Sequence, residues 1–175
     1  MTYGQNNYLL TNYHIISEKI KNIVIGKWDG SKTELDLNNR NIKYIYRKND
    51  INIDVTIIPV NSNEINDIKF LDYDLNCVRG YSNYLNQLVL CAGYPNGKAY
   101  AVQSGMVKEI INKSEFYHSA ETEGGSSGSP IILFHSLLII GIHKAGDKEK
   151  ELNIGTFIAE IFEDIKDIKT KEVNR

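Results

Sequence analysis

The sequence predicts an all-β protein with two small antiparallel β-barrels followed by one C-terminal helix. Short runs of β-branched and aromatic residues, typical of strands, recur along nearly the whole chain. The segments between them carry turn-forming residues instead of helical patterns, which disfavours parallel βαβ folds. A strongly polar segment, Asn61–Asn86, divides the runs into two groups. Many short strands in two groups indicate two barrels.

The predicted elements follow in chain order within one domain, residues 1–175. The N-terminal barrel covers residues 1–75, the C-terminal barrel residues 87–158 and the helix residues 159–170. A further strand over residues 8–13 is expected to lead into a helical turn that points Ile15, Ile16 and Ile20 inward. The remaining predicted strands are Ile23–Trp28, Ile42–Tyr46, Ile51–Val60, Gln87–Ala92, Tyr100–Val107, Ile131–Phe134, Leu137–His143 and Ile154–Ile158.

Composition narrows the functional classes. The 175 residues are 42 % hydrophobic, enough for a sizeable core, and the net charge is −2. Such a charge balance predicts neither nucleic-acid nor membrane partners. No apolar run approaches the roughly 20 residues that span a bilayer, and no N-terminal signal peptide is recognisable. Cys77 and Cys91 are expected to be buried free thiols in a reducing compartment such as the cytoplasm. No His, Cys or Asp residues have the spacing of a metal site, so we expect no bound metal. We also expect no cofactor and a monomer.

The segment from Glu123 to Pro130, which reads EGGSSGSP, is the most informative for chemistry. Three glycines and three serines lead directly into an apolar strand, which indicates a strained turn with exposed amides. The N–H groups of Gly125 and Ser127 could then stabilise an oxyanion during acyl transfer. Ser127 would be the nucleophile.

A serine nucleophile needs a base and a group that orients the base. His14 follows an apolar segment at a strand end and is the best candidate base, whereas His118 and His135 are expected at the surface. Asp54 lies in an alternating run that places isoleucines on the opposite face, so its carboxylate needs a partner. Asp50 or Asp36 could substitute for it in principle.

Three blocks of sequence together resemble the chymotrypsin-like serine proteases. Leu10–His14, Asp54–Ile58 and Gly125–Pro130 are similar to the His, Asp and Ser blocks of that family, in the same order. Their spacings of 40 residues (54 − 14) and 73 residues (127 − 54) are similar to those of the compact glutamyl-endopeptidase and HtrA-type branches. The resemblance covers most of the chain and implies a serine endopeptidase with an active site between two barrels.

The resemblance has further implications. The first strand of the N-terminal barrel is expected to be missing, because only thirteen residues precede His14. The backbone of Lys144, Ala145 and Gly146 is expected to pair with an extended peptide or protein substrate. The alternative function is a catalytically inactive peptide-binding module that keeps the protease fold.

The preference for the substrate residue before the scissile bond, P1, has two interpretations. Thr122 and His143 resemble the pair that holds Glu or Gln in glutamyl endopeptidases and picornavirus-type proteases. Glu121 instead stands where trypsin-like members set the charge of the pocket, and it would favour Lys or Arg. If the segment is extended, Thr122 and its two glutamate neighbours face opposite ways, so we expect Thr122 inward and a P1 Gln or Glu.

Overall fold

The computed structural model describes residues 1–26, 30–65 and 68–173. It confirms the predicted class, because the described residues form twelve strands and one α-helix. No described helix is long and apolar enough to cross a membrane. The elements are β1 (Thr2–Tyr3), β2 (Asn6–Thr11), β3 (Asn22–Gly26), β4 (Lys32–Asp36), β5 (Lys43–Lys48), β6 (Ile51–Val60), β7 (Leu88–Gly93), β8 (Ala101–Ile110), β9 (Glu115–His118), β10 (Pro130–Leu133), β11 (Ile139–Asp147), β12 (Leu152–Phe157) and α1 (Phe162–Val173).

The second half of the chain forms a closed barrel of six antiparallel strands. Hydrogen-bonded neighbours follow the order β10, β11, β12, β9, β8 and β7, and β7 pairs back with β10. Val89, Phe116, Ile131 and Phe157 fill its interior and are fully buried. Closure pairs every strand of the barrel with two neighbours, which makes the barrel a rigid support for the loops at its ends.

The first half is less regular than the predicted barrel. Strands β1, β2, β6 and β5 form one sheet, while β3 and β4 form a separate two-stranded ribbon. Leu35 of the ribbon packs with Ile58 and Ile65 in a second apolar core. Among the described residues the backbone ladder therefore does not close, because β3 and β4 pair only with each other. Residues 27 and 28 of the predicted Ile23–Trp28 strand lie outside the described residues.

Three strands and one turn differ from the sequence-based expectation, and the two-residue strand β1 is the first of them. The polar strand β4 and the short strand β9 carry little alternation, so the pattern did not predict them. The turn after His14 does form, with the N–H groups of Ile15 and Ile16 donating to the Asn12 carbonyl. Ile16 packs against the second core, but Ile15 and Ile20 are exposed instead of inward.

The C-terminal helix starts at Phe162, later than the predicted residue 159, after a 3₁₀ turn over Ile158–Ile161. Its buried face carries Phe162, Ile165 and Ile168, which join the main core. Lys48 of β5 donates to Asp164 Oδ2 at 3.1 Å. The helix therefore contacts the first half as well as the barrel.

Candidate active site

Three side chains from separate parts of the chain meet between the two halves. His14 follows β2, Asp54 lies within β6, and Ser127 stands in the loop before β10. His14 Nδ1 is 2.6 Å from Asp54 Oδ2, and His14 Nε2 is 3.1 Å from Ser127 Oγ. Both distances are hydrogen-bond lengths, so the imidazole bridges the carboxylate and the hydroxyl. The structure thus brings together the three residues expected from the sequence.

Backbone N–H groups at and before His14 also donate hydrogen bonds to Asp54. The His14 N–H donates to Asp54 Oδ1 at 2.9 Å, so both carboxylate oxygens accept a bond from the same residue. The Asp54 carbonyl accepts from the Tyr13 N–H at 3.2 Å and from Asn12 Nδ2 at 3.1 Å. The carboxylate is 7 % exposed and the imidazole 46 % exposed, so the acid is shielded while the base reaches the cleft.

Asp54 lies at a β-bulge with a left-handed backbone. Ile45 pairs with Val55, but Arg47 pairs with Asn52, so β6 has one more residue than β5 at this point. The φ angle of Asp54 is +56°, a conformation that costs a non-glycine residue about 1–3 kcal/mol. Such strain persists only where surrounding contacts impose it, and here it aims the carboxylate at His14.

The loop before Ser127 presents open backbone amides. Gly125 has a φ of +86°, which favours glycine. Among the described residues, no acceptor takes the N–H of Gly125 or Ser127, whereas the neighbouring Ser126 N–H donates to the Glu123 carbonyl. The Asn96 N–H donates to the Gly124 carbonyl and supports the turn from the barrel side. The loop therefore leaves two backbone donors beside the hydroxyl without an acceptor among the described residues.

Thr122 faces a cavity of about 370 Å³ that Glu121 and Glu123 also line. Its hydroxyl donates to Asn153 Oδ1 at 2.7 Å. Thr122 is half-buried while Glu121 and Glu123 are exposed, as the alternation predicts, although all three residues border the same cavity. Among the described residues that line this cavity, His143 does not occur, so Thr122 and His143 do not share it.

His143 and His118 form a buried pair inside the second barrel. His143 Nδ1 lies 3.4 Å from His118 Nε2, and the two side chains are nearly inaccessible to solvent. Burial, and then the charge of His14, lowers the pKa of His143 to about 4. Burial, and then the charge of His143, lowers the pKa of His118 to about 3. Both rings are thus neutral near pH 7.

The predicted surface position of His118 is wrong, whereas His135 is exposed as expected. His118 is buried because β9 pairs with both β8 and β12 and turns this side chain into the barrel. The preceding aromatic pair, Phe116 and Tyr117, was the one signal of a buried strand in this region.

The segment from Lys144 to Gly146 keeps one open edge. Beyond Ile142, the last β11 residue paired with β10, the described part of β11 pairs only with β12. Ala145 and Gly146 are exposed there. The Lys144 side chain is buried instead and turns toward the first half, where it donates to the Asn52 carbonyl. An extended peptide could therefore add to this edge by backbone pairing.

The two cysteine thiols are shielded from solvent, although Cys91 borders the cavity beside Thr122. Cys77 and Cys91 are free and buried, and burial raises the pKa of each thiol to about 11. In the described ranges, no group of three or more His, Cys, Asp or Glu side chains could hold a metal ion. The hydroxyl of Ser127 is thus the nucleophile that the geometry favours.

The chain is similar to known peptidases in both sequence and fold. Residues 1–142 match the family model of trypsin-like peptidase domains. No curated protein matches the sequence significantly. Three solved structures share the fold, beginning with a serine endoprotease from Yersinia pestis, at 16 % identity and a TM-score of 0.69 over 92 % of this chain and 53 % of that one.

The second structure is the HtrA-type protease AlgW with a decapeptide, at 17 % identity and a TM-score of 0.67 over 93 % of this chain and 48 % of that one. The third is the Rv3671c protein of Mycobacterium tuberculosis in an inactive form, at 16 % identity and a TM-score of 0.68 over 93 % and 77 %. The chain thus spans about half the length of the first two. At these identities the likeness establishes the fold.

Proposed function

Because the chain belongs to the family of trypsin-like peptidase domains, we propose that it is a serine endopeptidase with His14, Asp54 and Ser127 as its catalytic triad. Ser127 Oγ attacks the scissile carbonyl while His14 Nε2 takes its proton. His14 then returns the proton to the leaving amine, and water hydrolyses the acyl-enzyme through the same base. Asp54 fixes the imidazole tautomer and stabilises the imidazolium.

The open amides of Gly125 and Ser127 supply the remaining element of this mechanism. Charge develops on the carbonyl oxygen when Ser127 attacks, and two preorganised N–H donors stabilise it without reorganising at that moment. Removing one such donor typically lowers kcat by about 10²–10³. The cleft therefore supports both proton transfer and oxyanion stabilisation.

The observation that carries the proposal is the position of His14 between Asp54 Oδ2 at 2.6 Å and Ser127 Oγ at 3.1 Å. A fluorophosphonate probe tests it, because only an activated hydroxyl reacts. We expect stoichiometric labelling of Ser127 in the full chain, and none in Ser127→Ala or His14→Ala. Peptidase activity should fall by several orders of magnitude in each variant, with little further loss when both changes are combined.

The inactive peptide-binding module is the contrary outcome of this test. A folded chain that binds peptides but neither labels at Ser127 nor turns over substrate would overturn the peptidase proposal. Additive losses in the double variant would overturn the triad assignment, since groups that act as a unit are not additive. The exposed serine Ser136 is the matched control and should not label.

We propose that the substrate is an extended peptide that pairs with the open edge at Lys144, Ala145 and Gly146. Backbone pairing gives affinity without a sequence requirement, and side-chain pockets then supply selectivity. AlgW, which shares the fold, was solved with a decapeptide. Replacing single backbone amides of a peptide substrate by esters should raise KM most at the positions that face this edge.

We propose a P1 preference for Gln, with Glu weaker. The Thr122 hydroxyl already donates to Asn153, so its lone pairs are left to accept from a side-chain amide. A glutamine offers that donor, whereas a glutamate would bring a third carboxylate beside Glu121 and Glu123. The neutral ring of His143 adds no positive charge to attract an acid.

A matched set of fluorogenic peptides with P1 Gln, Glu, Lys and Arg tests this preference. A site built to bond an amide discriminates strongly against residues that lack it. We expect the Gln peptide to have the highest kcat/KM and Thr122→Val to reduce that advantage at least tenfold. A preference for Lys or Arg that Glu121→Gln abolishes and His143→Ala leaves intact would contradict the proposal.

A further inference from the structure

The strained backbone of Asp54 is held from the other half of the molecule. The carbonyls of the two preceding residues, Asn52 and Ile53, both accept bonds from side chains of the second barrel. Lys144 Nζ donates to the Asn52 oxygen, and Thr156 Oγ1 donates to the Ile53 oxygen at 3.0 Å. Both carbonyls belong to the two residues that lead into the bulge at Asp54.

Both donor side chains are buried in the barrel and therefore have little freedom of movement. Thr156 is 1 % exposed and lies in β12, opposite Ile142 on one side and Glu115 on the other. Lys144 is 8 % exposed, and its ammonium also pairs with Glu115 Oε1 at 2.5 Å. A buried lysine with two acceptors is fixed in direction, so it transmits the position of the barrel to β6.

We propose that Lys144 and Thr156 are positioning residues for Asp54, acting together as a clamp on the bulge. Their side chains touch neither substrate nor reacting atoms, although the Lys144 backbone belongs to the proposed substrate edge. By holding the carbonyls of Asn52 and Ile53, they keep the peptide before Asp54 in the orientation that its positive φ requires. The carboxylate then faces His14 Nδ1 only while the second barrel is docked on the first half.

This inference rests on the proposed function, since it assigns the clamp to the acid of the triad. Without the clamp, Asp54 can relax toward an ordinary strand conformation, which would turn its carboxylate away from His14. The Asn12 and Tyr13 contacts hold the carbonyl on the far side of Asp54 and do not replace the clamp. The loss is therefore one of orientation, and it should appear in kcat more than in KM.

Thr156→Val is the most direct variant, because valine has the shape of threonine without the hydroxyl. We expect kcat to fall about 10- to 100-fold while KM changes less than twofold. The dependence of kcat/KM on pH should also differ from that of the wild type, because the imidazole no longer keeps its hydrogen bond to the carboxylate. The downfield proton resonance of His14 Nδ1–H should also shift or broaden, and this readout needs no substrate.

Three further variants separate orientation from stability. Thr156→Ser returns the hydroxyl and should restore both the resonance and the pH profile. The double variant Lys144→Met with Glu115→Gln removes the ammonium without leaving a carboxylate unpaired, and it should resemble Thr156→Val. Ser114→Ala removes another buried hydroxyl of the barrel, which bonds Glu160 instead of β6, and should lower stability alone.

A Thr156→Val enzyme with wild-type kcat, pH midpoint and His14 resonance would overturn the clamp. Asp54→Asn distinguishes the two levels of inference. If Asp54→Asn keeps wild-type activity, the proposed function itself fails. If Asp54→Asn is inactive while Thr156→Val and the double variant behave like the wild type, the triad stands and the clamp alone is overturned.

Discussion

Asp54 and Asp50 lie on the same hairpin, yet the structure separates them by their contacts. Asp54 accepts two bonds from His14, while Asp50 stands exposed at the turn with a positive φ that asparagine also adopts. Asp54→Asn should therefore lower kcat by about 10⁴ through the wrong imidazole tautomer. Asp50→Asn is the matched control, and steady-state kinetics should place it within twofold of the wild type. A critical Asp50 would contradict the assignment.

Gly125 combines two reasons why a side chain is not tolerated. Its φ is +86°, and a Cβ would lie 3.1 Å from the Tyr94 carbonyl oxygen and 3.3 Å from the Asn96 nitrogen. Gly125→Ala should cost about 1–2 kcal/mol in strain and tilt the amide, with a fall in kcat of about 10²–10³.

Urea unfolding together with kinetics checks this prediction. Gly26→Ala is the control, because a Cβ there meets nothing within 4 Å and the φ is not positive. A Gly125→Ala enzyme with normal kcat would show that this amide does not serve the oxyanion.

At the scale of elements, the C-terminal helix contributes through its buried isoleucines. Ile165 is fully buried in the main core, and truncation to alanine should lower the free energy of unfolding by about 2–5 kcal/mol. Chemical denaturation measures the change. Glu163→Ala on the exposed face is the control, since its pair with Lys166 is a surface contact worth at most about 1 kcal/mol. Equal effects would mean that the helix does not seal the core.

Elements with strong alternation could be predicted from the sequence. Strand β6 has the predicted bounds Ile51–Val60, because buried Ile53, Val55 and Ile57 alternate with polar residues along it. Strand β4 could not be predicted, since its single buried residue is Leu35 and its remaining positions are polar or half-exposed. The bulge at Asp54 leaves no mark in the sequence, because Ile53 and Val55 both still reach the main core.

Loop segments limit the same reasoning at the candidate site. Thr122 is half-buried between two exposed glutamates, as predicted, yet all three residues border the same cavity, so alternation alone does not identify the side chain that contacts P1. The residues of the triad could be found because histidine, aspartate and serine carry chemistry that few positions can share. The clamp could not be found, since Lys144 and Thr156 bind backbone carbonyls that have no residue signature.

At the scale of the whole molecule, the buried histidine pair ties stability to pH. The folded pKa of His143 is about 4 and that of His118 about 3, below the ordinary value of 6.5. Between pH 6.5 and 4, the unfolded chain therefore binds more protons at these two histidines than the folded chain does. The stabilising contribution is fully present above pH 6.5 and is lost progressively below it.

We expect the free energy of unfolding to fall by several kcal/mol as the pH drops from 6.5 to 4, because each histidine contributes over the interval between its unfolded and its folded pKa. Urea midpoints measured from pH 4 to 8 check the slope. His118→Gln keeps a polar side chain without this titration and should flatten the curve. An unchanged slope in that variant would contradict the assignment of the proton uptake to the pair.

The division of the site between two halves has a consequence for protein synthesis. His14 and Asp54 leave the ribosome early, but Ser127, Lys144 and Thr156 belong to the barrel that β12 completes near the end of the described chain. A nascent chain therefore holds a base and an acid without a nucleophile, and afterwards a nucleophile without an oriented acid. The proposed site is therefore complete only once translation has passed β12.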